Sequence, residues 1–290
     1  MLKTILSPIR WAYDFLNRKN IMLFLGLFFS AIFVLVAIFA KVLEPYDPTQ
    51  MDIPHKLIAP CREYLLGTDE LGRDILSRII EGAQVSLGTA FLVVIVSACI
   101  GTMIGIVSGY FGGKLDMLLM RFVDVFLAFP TMIFVLAMST FMRGSQANLI
   151  IAICCVQWVR YARIARGEAV LFRNAEYIEA ARGLGLSNAQ ILFRYFLPNT
   201  APKILITMSM DIGGVILYCA SLSFLGLGTQ PPSPAWGTMI SDGKGYMRTA
   251  PWMTVFPGLA VAVTALSFNM IGDGLRDLLD PRMRESVSTE

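Results

Sequence analysis

Six runs of apolar residues constrain this chain more than any other feature, because each can cross a hydrocarbon core about 30 Å thick as a helix rising roughly 1.5 Å per residue. They fall at Ile21–Val42, Leu87–Tyr110, Met117–Phe141, Leu149–Val159, Ile204–Leu227 and Trp252–Ile271. The fourth is short before Arg160, and it is expected to extend through Tyr161 and Ile164 with its arginines snorkelling to the interface. Of the 290 residues 56% are hydrophobic and 16% charged, against about 25% charged in a soluble domain. The polar shortfall is concentrated in the six runs. The expected fold is therefore all-α, a polytopic membrane protein with six transmembrane helices.

The first run is not a signal peptide. It is too long for an apolar signal core of roughly 7–15 residues, and it ends in Lys41-Val42-Leu43-Glu44-Pro45 with no small-residue cleavage site. No internal repeat and no Pro/Gly/Ser-rich linker marks a second soluble domain. With the N-terminus inside, the inner segments hold 16 of the 24 basic residues, so the positive-inside bias predicts N-in, C-in. Four blocks follow: a cytoplasmic segment 1–20, a first helix with an outer loop at 21–86, a five-helix core at 87–275 with a cytoplasmic loop at 160–203, and a cytoplasmic tail at 276–290.

Composition excludes several classes. A net charge of +3, scattered along the chain, offers no basic face for nucleic acid. The cysteines form no CxxC pair, and His55 is the single histidine, so neither a zinc site nor a histidine-lined metal path is indicated.

Between the fourth and fifth runs lies EYIEAARGLGLSNAQILFRYFLPN, Glu176–Asn199. Small Ala180 and Ala181 permit close helix approach, and Glu179 offers a carboxylate at such a contact. Gly185 suits the positive φ that ends a helix, and Ser187 suits an N-cap. A second short helix is expected from Asn188 to Phe196, with Ile191, Leu192 and Tyr195 on its apolar face and Leu197-Pro198 stopping it. Two readings stand: a docking element for an outside partner, or an amphipathic loop lying on the membrane.

Two outer segments carry further signals. Gly67, Thr68, Asp69, Glu70, Gly72, Arg73 and Asp74 alternate charge around glycines. They read either as local ion pairs and caps at the start of an interfacial helix, or as a contact or gate. Thr229–Arg248 starts in prolines and places Trp236, Met239 and Ile240 on one face of a short helix shaping the outer mouth. Charges within or beside the spans are candidates for function or for helix pairing: Arg121 with Asp124 at i,i+3, Asp211, and Asp273. Asp124 or Asp211 on a path would meet a cationic group of the solute. Pro130 and Gly101, Gly105 and Gly109 suit bending and close packing.

EAARGLG…FLPN resembles the EAA loop of ATP-binding-cassette (ABC) importer permeases: Glu179, Ala180, Ala181, Gly185, Leu197 and Pro198 match its pattern, and Tyr195 stands where the pattern has Ile. LLGTDELGRDILSRIIEGAQVSLG, GYFGGKLDMLLMRFVDVFLAFP, SLSFLGLGTQPPSPAWGTMISDG and FNMIGDGLRDLLDPR are similar to segments of the dipeptide, oligopeptide and nickel class, C-type subunit, in the same order. The resemblance implies a type I ABC importer permease fold in a bacterial inner membrane. It implies a heterodimer with a second permease, two cytoplasmic ATPase subunits gripping the EAA loops, and an extracytoplasmic solute-binding protein. ATP and Mg would sit on the ATPases, and no cofactor on this chain. That agrees with Gly112-Gly113-Lys114, which lacks the spacing of a phosphate-binding loop. Peptides are the expected cargo, with nickel or a metal chelate as the alternative. An intramembrane enzyme lacks its motif, since no HExxH is present, and the inverted repeats of an ion-coupled secondary transporter are not evident.

Overall fold

The computed structural model describes residues 18–141 and 145–279, and every regular element among them is a helix. α1 (Arg18–Ile38) and α2 (Ala40–Leu43) form the first span, interrupted at Phe39. α3 (Ile75–Phe111) is one helix of 37 residues, about 55 Å long. The second span thus starts at Ile75, well before the expected Leu87, and no separate interfacial helix precedes it. Asp74 explains the early start: its carboxylate accepts from the Ser77 N–H at 2.8 Å and caps α3 directly.

The third expected span is broken. α4 (Gly113–Leu127) and α5 (Thr131–Phe141) meet at 81° across Ala128–Pro130, where proline opposes a continuous helix. α6 (Gln146–Phe172) outruns the predicted fourth segment at both ends. α7 (Glu176–Gly183) and α8 (Asn188–Ile191) occupy the polar loop, and α9 (Leu197–Phe224) follows. α10 (Trp236–Gly243) is the short outer helix, and α11 (Trp252–Leu279) the last span. Among the described residues, five helices are long and apolar enough to cross a membrane, and the bent pair makes up to six.

Small residues set the tightest interface. A Cβ on Gly101 would lie 2.2 Å from the Trp158 carbonyl oxygen, one on Gly105 2.3 Å from that of Ala162, and one on Gly109 2.6 Å from the Ala169 Cβ. The four-residue spacing puts all three on one face of α3, and α6 lies directly on that face. Trp236 is fully buried and edge-on to Phe33 at 5.8 Å, so α10 is packed into the body and does not rest on the surface.

The bundle has two distinct ends. At one, Leu23 of α1 packs on Gly274 of α11, and Glu168, Lys203 and Arg276 share a cleft. At the other, Trp252 donates to the Thr68 carbonyl at 3.1 Å and Trp236 to that of Ile79 at 3.0 Å. The bias of basic residues places the first end in the cytoplasm.

Candidate functional site

The inner site is built on α7, α8 and the turn between them. Helix α7 buries Ile178 and Ala181 against the bundle and turns Glu179 and Ala180 outward. The two alanines therefore do different work. Gly185 has φ +81°, a left-handed conformation that closes α7 through its N–H to the Arg182 carbonyl at 3.0 Å. Ser187 and Gln190 then form a capping box that starts α8.

The helix after Ser187 does not stop at Leu197-Pro198. It passes through a π turn, Leu192–Phe196, straight into α9, with Pro198 in the first turn of α9. The Leu197 N–H bonds the Leu192 carbonyl, which shifts the ladder by one residue, and a first-turn proline has no essential N–H to lose. Ile191 and Leu192 are buried as the periodicity requires, Tyr195 is half-buried, and Phe196 is fully buried with them.

Tyr110, at the inner end of α3, braces this loop, and the sequence reading did not single it out. Its hydroxyl donates to the Asn188 Oδ1 at 2.7 Å, its ring lies edge-on to Phe196 at 5.1 Å, and the Arg182 guanidinium sits over it at 5.1 Å. An aromatic with a polar tip at the end of an apolar run was the available signal. With the loop held from behind, Glu179, Ala180, Gly183, Leu184, Gly185, Phe193 and Arg194 form an exposed face. Leu184 is 81% exposed on this otherwise braced element.

The span charges pair between helices. Asp124 on α4 accepts from Arg163 on α6 at 2.6 Å, in place of the expected pair with Arg121, because the Arg163 fork reaches across to the neighbouring helix while Arg121 stays exposed. Arg166 forks onto Asp116 at 3.0 and 2.7 Å, and the Ser108 hydroxyl joins the same carboxylate at 2.5 Å. Arg160 does not snorkel: it donates to the buried Asp211 of α9. Lys203 pairs with Glu168. Asp273 lies exposed at the inner part of α11. Arginines three residues apart on α6 were visible in WVRYARIAR, but their partners lie on other helices and no local spacing announces them.

The outer signature folds inward. Asp69 accepts from the Arg73 Nε at 2.6 Å and from the Leu71 and Arg73 N–H groups at 2.9 Å, and the Arg78 Nε lies 3.5 Å away. The Thr68 hydroxyl donates to the His55 carbonyl at 2.6 Å and accepts from the Ile58 N–H at 2.8 Å. Gly67 and Gly72 both take positive φ, and a Cβ on Gly72 would fall 1.8 Å from the Asp52 carbonyl oxygen. Asp69, Arg73, Asp74 and Arg78 are all buried. Burial, then the neighbouring Asp69 carboxylate, raises the Glu70 carboxyl above the usual carboxylate range, and Arg73 offsets part of this.

A family model described as "Binding-protein-dependent transport system inner membrane component" matches residues 101–285, and one described as "N-terminal TM domain of oligopeptide transport permease C" matches residues 18–60. A dipeptide transport system permease protein of Alkalihalophilus pseudofirmus is 40% identical over 281 residues, covering 97% of this chain and 92% of its own length. A glutathione transport system permease protein of Pectobacterium atrosepticum is 38% identical, covering 97% and 94%. Among solved structures, the methionine ABC transporter MetNI in an inward-facing form aligns with 71% of this chain and 98% of its own, at a TM-score of 0.58 and 18% identity, a likeness of fold.

Proposed function

The chain belongs to the family of binding-protein-dependent transport system inner membrane components, and we propose on that premise that it forms half of a peptide importer's translocation path and couples it to two cytoplasmic ATPases. As a permease of an ABC transporter it is not an enzyme, and it works with other transporter subunits in the bacterial inner membrane. The finer assembly is our reading: a second, different permease completes the path, an extracytoplasmic binding protein delivers the solute, and ATP with Mg is held by the ATPases.

The observation that carries the coupling role is the exposed face of α7 and the Gly185 turn. A docking helix needs a rigid back and a free front. Tyr110, Ile178 and Ala181 supply the back, and Glu179, Ala180 and Leu184 the front. Because the helix runs unbroken from Asn188 through α9, a push on α8 is transmitted along a stiff rod into the membrane. Closing the ATPases would then move α9 and reorient the path. Leu197 and Pro198 lie within that rod, directly after the π turn. In this reading residues 21–86 form the first transmembrane helix and an outer loop, 87–275 carry the path and the coupling loop, and 1–20 and 276–290, which lie largely outside the described residues, face the cytoplasm.

Peptide cargo is supported by the relatives' dipeptide and glutathione systems. The test is uptake of a labelled dipeptide by the full complex reconstituted in vesicles. Uptake that requires ATP and stops with a hydrolysis-dead ATPase is the expected result; uptake by this chain alone would refute the reading.

A further inference from the structure

We propose that Arg160, fixed by Asp211, is the group in the translocation path that receives the C-terminal carboxylate of the transported peptide. The inference rests on the peptide-import reading above.

Arg160 and Asp211 lie well inside their membrane helices, α6 (27 residues) and α9 (28 residues). The two partners are unequal. The Asp211 side chain is 3% exposed and that of Arg160 55%. A peptide's amino group therefore cannot reach Asp211, which removes the carboxylate-on-the-path expectation for this residue and leaves a cation facing outward. A guanidinium more than half exposed at this depth is costly against hydrocarbon, and such charges face a water-filled cavity or the bundle interior.

A cavity stands in the right place. One and two turns below Arg160 on α6 are Ile164 and Glu168; one and two turns below Asp211 on α9 are Thr207 and Lys203. All four line a cleft of about 730 Å³ that also reaches Met210 and Arg276. The Arg160–Asp211 pair thus lies one helical turn to the membrane side of Ile164 and Thr207, above a cleft that carries Glu168, Lys203 and Arg276 toward the cytoplasmic end.

The bonding geometry leaves capacity. Asp211 takes the Nη1 of Arg160, so Nη2 and Nε remain to fork onto a second carboxylate. With one anion already on the guanidinium, a second is held but not trapped, as a path requires.

The experiment uses the reconstituted complex, with binding protein pre-loaded with a dipeptide bearing a free C-terminal carboxylate or with its C-terminal amide. The ratio of the two uptake rates is compared among the wild type, Arg160→Lys and the double variant Arg160→Gln/Asp211→Asn. The binding protein is common to all, so its own preference cancels. The double variant leaves no unpaired buried charge and should assemble. It should lose preference for the free carboxylate on the order of 10-fold, the range of a charge-assisted hydrogen bond. Arg160→Lys, which keeps charge without the fork, should fall between. An unchanged ratio, or an equal fall for both peptides in both variants, overturns the assignment alone. No ATP-dependent uptake of either peptide by the wild type overturns the peptide reading, and this proposal with it.

Discussion

The outer signature around Asp69 and the inner loop around Glu179 read alike as sequence: short polar stretches with acids, arginines and glycines beside apolar runs. They fold into opposite states. At the outer end the charged groups point inward, Asp69 to Arg73 and Arg78, and Asp74 to the head of α3. At the inner end Glu179 and Leu184 point outward from a helix braced behind by Tyr110. The first region spends its polar groups on itself, while the second holds them ready for something else. A polar motif is thus a docking candidate only when its side chains are left unspent.

The largest effect that tests this contrast comes from Asp69→Ala. It removes the carboxylate that the buried Arg73 and Arg78 share and leaves Arg73 with Glu70 alone, and breaking a buried pair costs about 3–5 kcal/mol. The complex is expected to lose most of its yield and to melt far lower in detergent, whereas Glu179→Ala should leave both unchanged. Equal melting temperatures for the two variants would dissolve the contrast.

Two glycines of nearly the same conformation sharpen it next. Gly72 has φ +77° and Gly185 φ +81°, but a Cβ on Gly72 meets the Asp52 carbonyl oxygen at 1.8 Å and one on Gly185 meets nothing within 4 Å. Gly185→Ala should cost only the left-handed strain, about 1–2 kcal/mol. Gly72→Ala adds a backbone clash and should cost clearly more. Chemical denaturation of the purified complex ranks the two.

Much of this fold was legible beforehand. Six apolar runs and the placement of basic residues gave helices and sidedness, and the glycines of α3 announced a close neighbour. Other features were not legible, each for a physical reason. The early start of α3 at Ile75 depends on the Asp74 cap competing successfully with loop structure in a charged stretch. The passage of helix through Leu197-Pro198 depends on a π turn, which has no composition of its own. The partners of Asp124 and Asp211 are arginines on α6, far along the chain, and only packing brings them together. Tyr110 was overlooked because a lone tyrosine at a span's end is ordinary until the loop it braces is in view.

Smaller effects probe each region from within. Tyr110→Phe removes the hydroxyl bond to Asn188 and keeps the ring under Arg182. A loss of about 0.5–1.5 kcal/mol confined to the loop is expected, seen as faster amide exchange in α7 and α8 with the outer segment unchanged. At the outer end, the folded-state pKa of Glu70 is raised by burial. Its protonated form is favoured by folding, so this stabilisation is complete below the ordinary glutamate value of about 4.3 and fades as pH rises through the raised one. The melting temperature of the wild type relative to Glu70→Gln should therefore fall as pH increases across that window.

The most direct test of coupling is Glu179→Lys, with ATP hydrolysis and solute uptake measured on the same reconstituted complex. The exposed position predicts a complex that assembles and melts as the wild type does, accepts the loaded binding protein, and hydrolyses ATP without importing solute. Normal uptake per ATP in that variant would contradict the assignment of α7 as the coupling element.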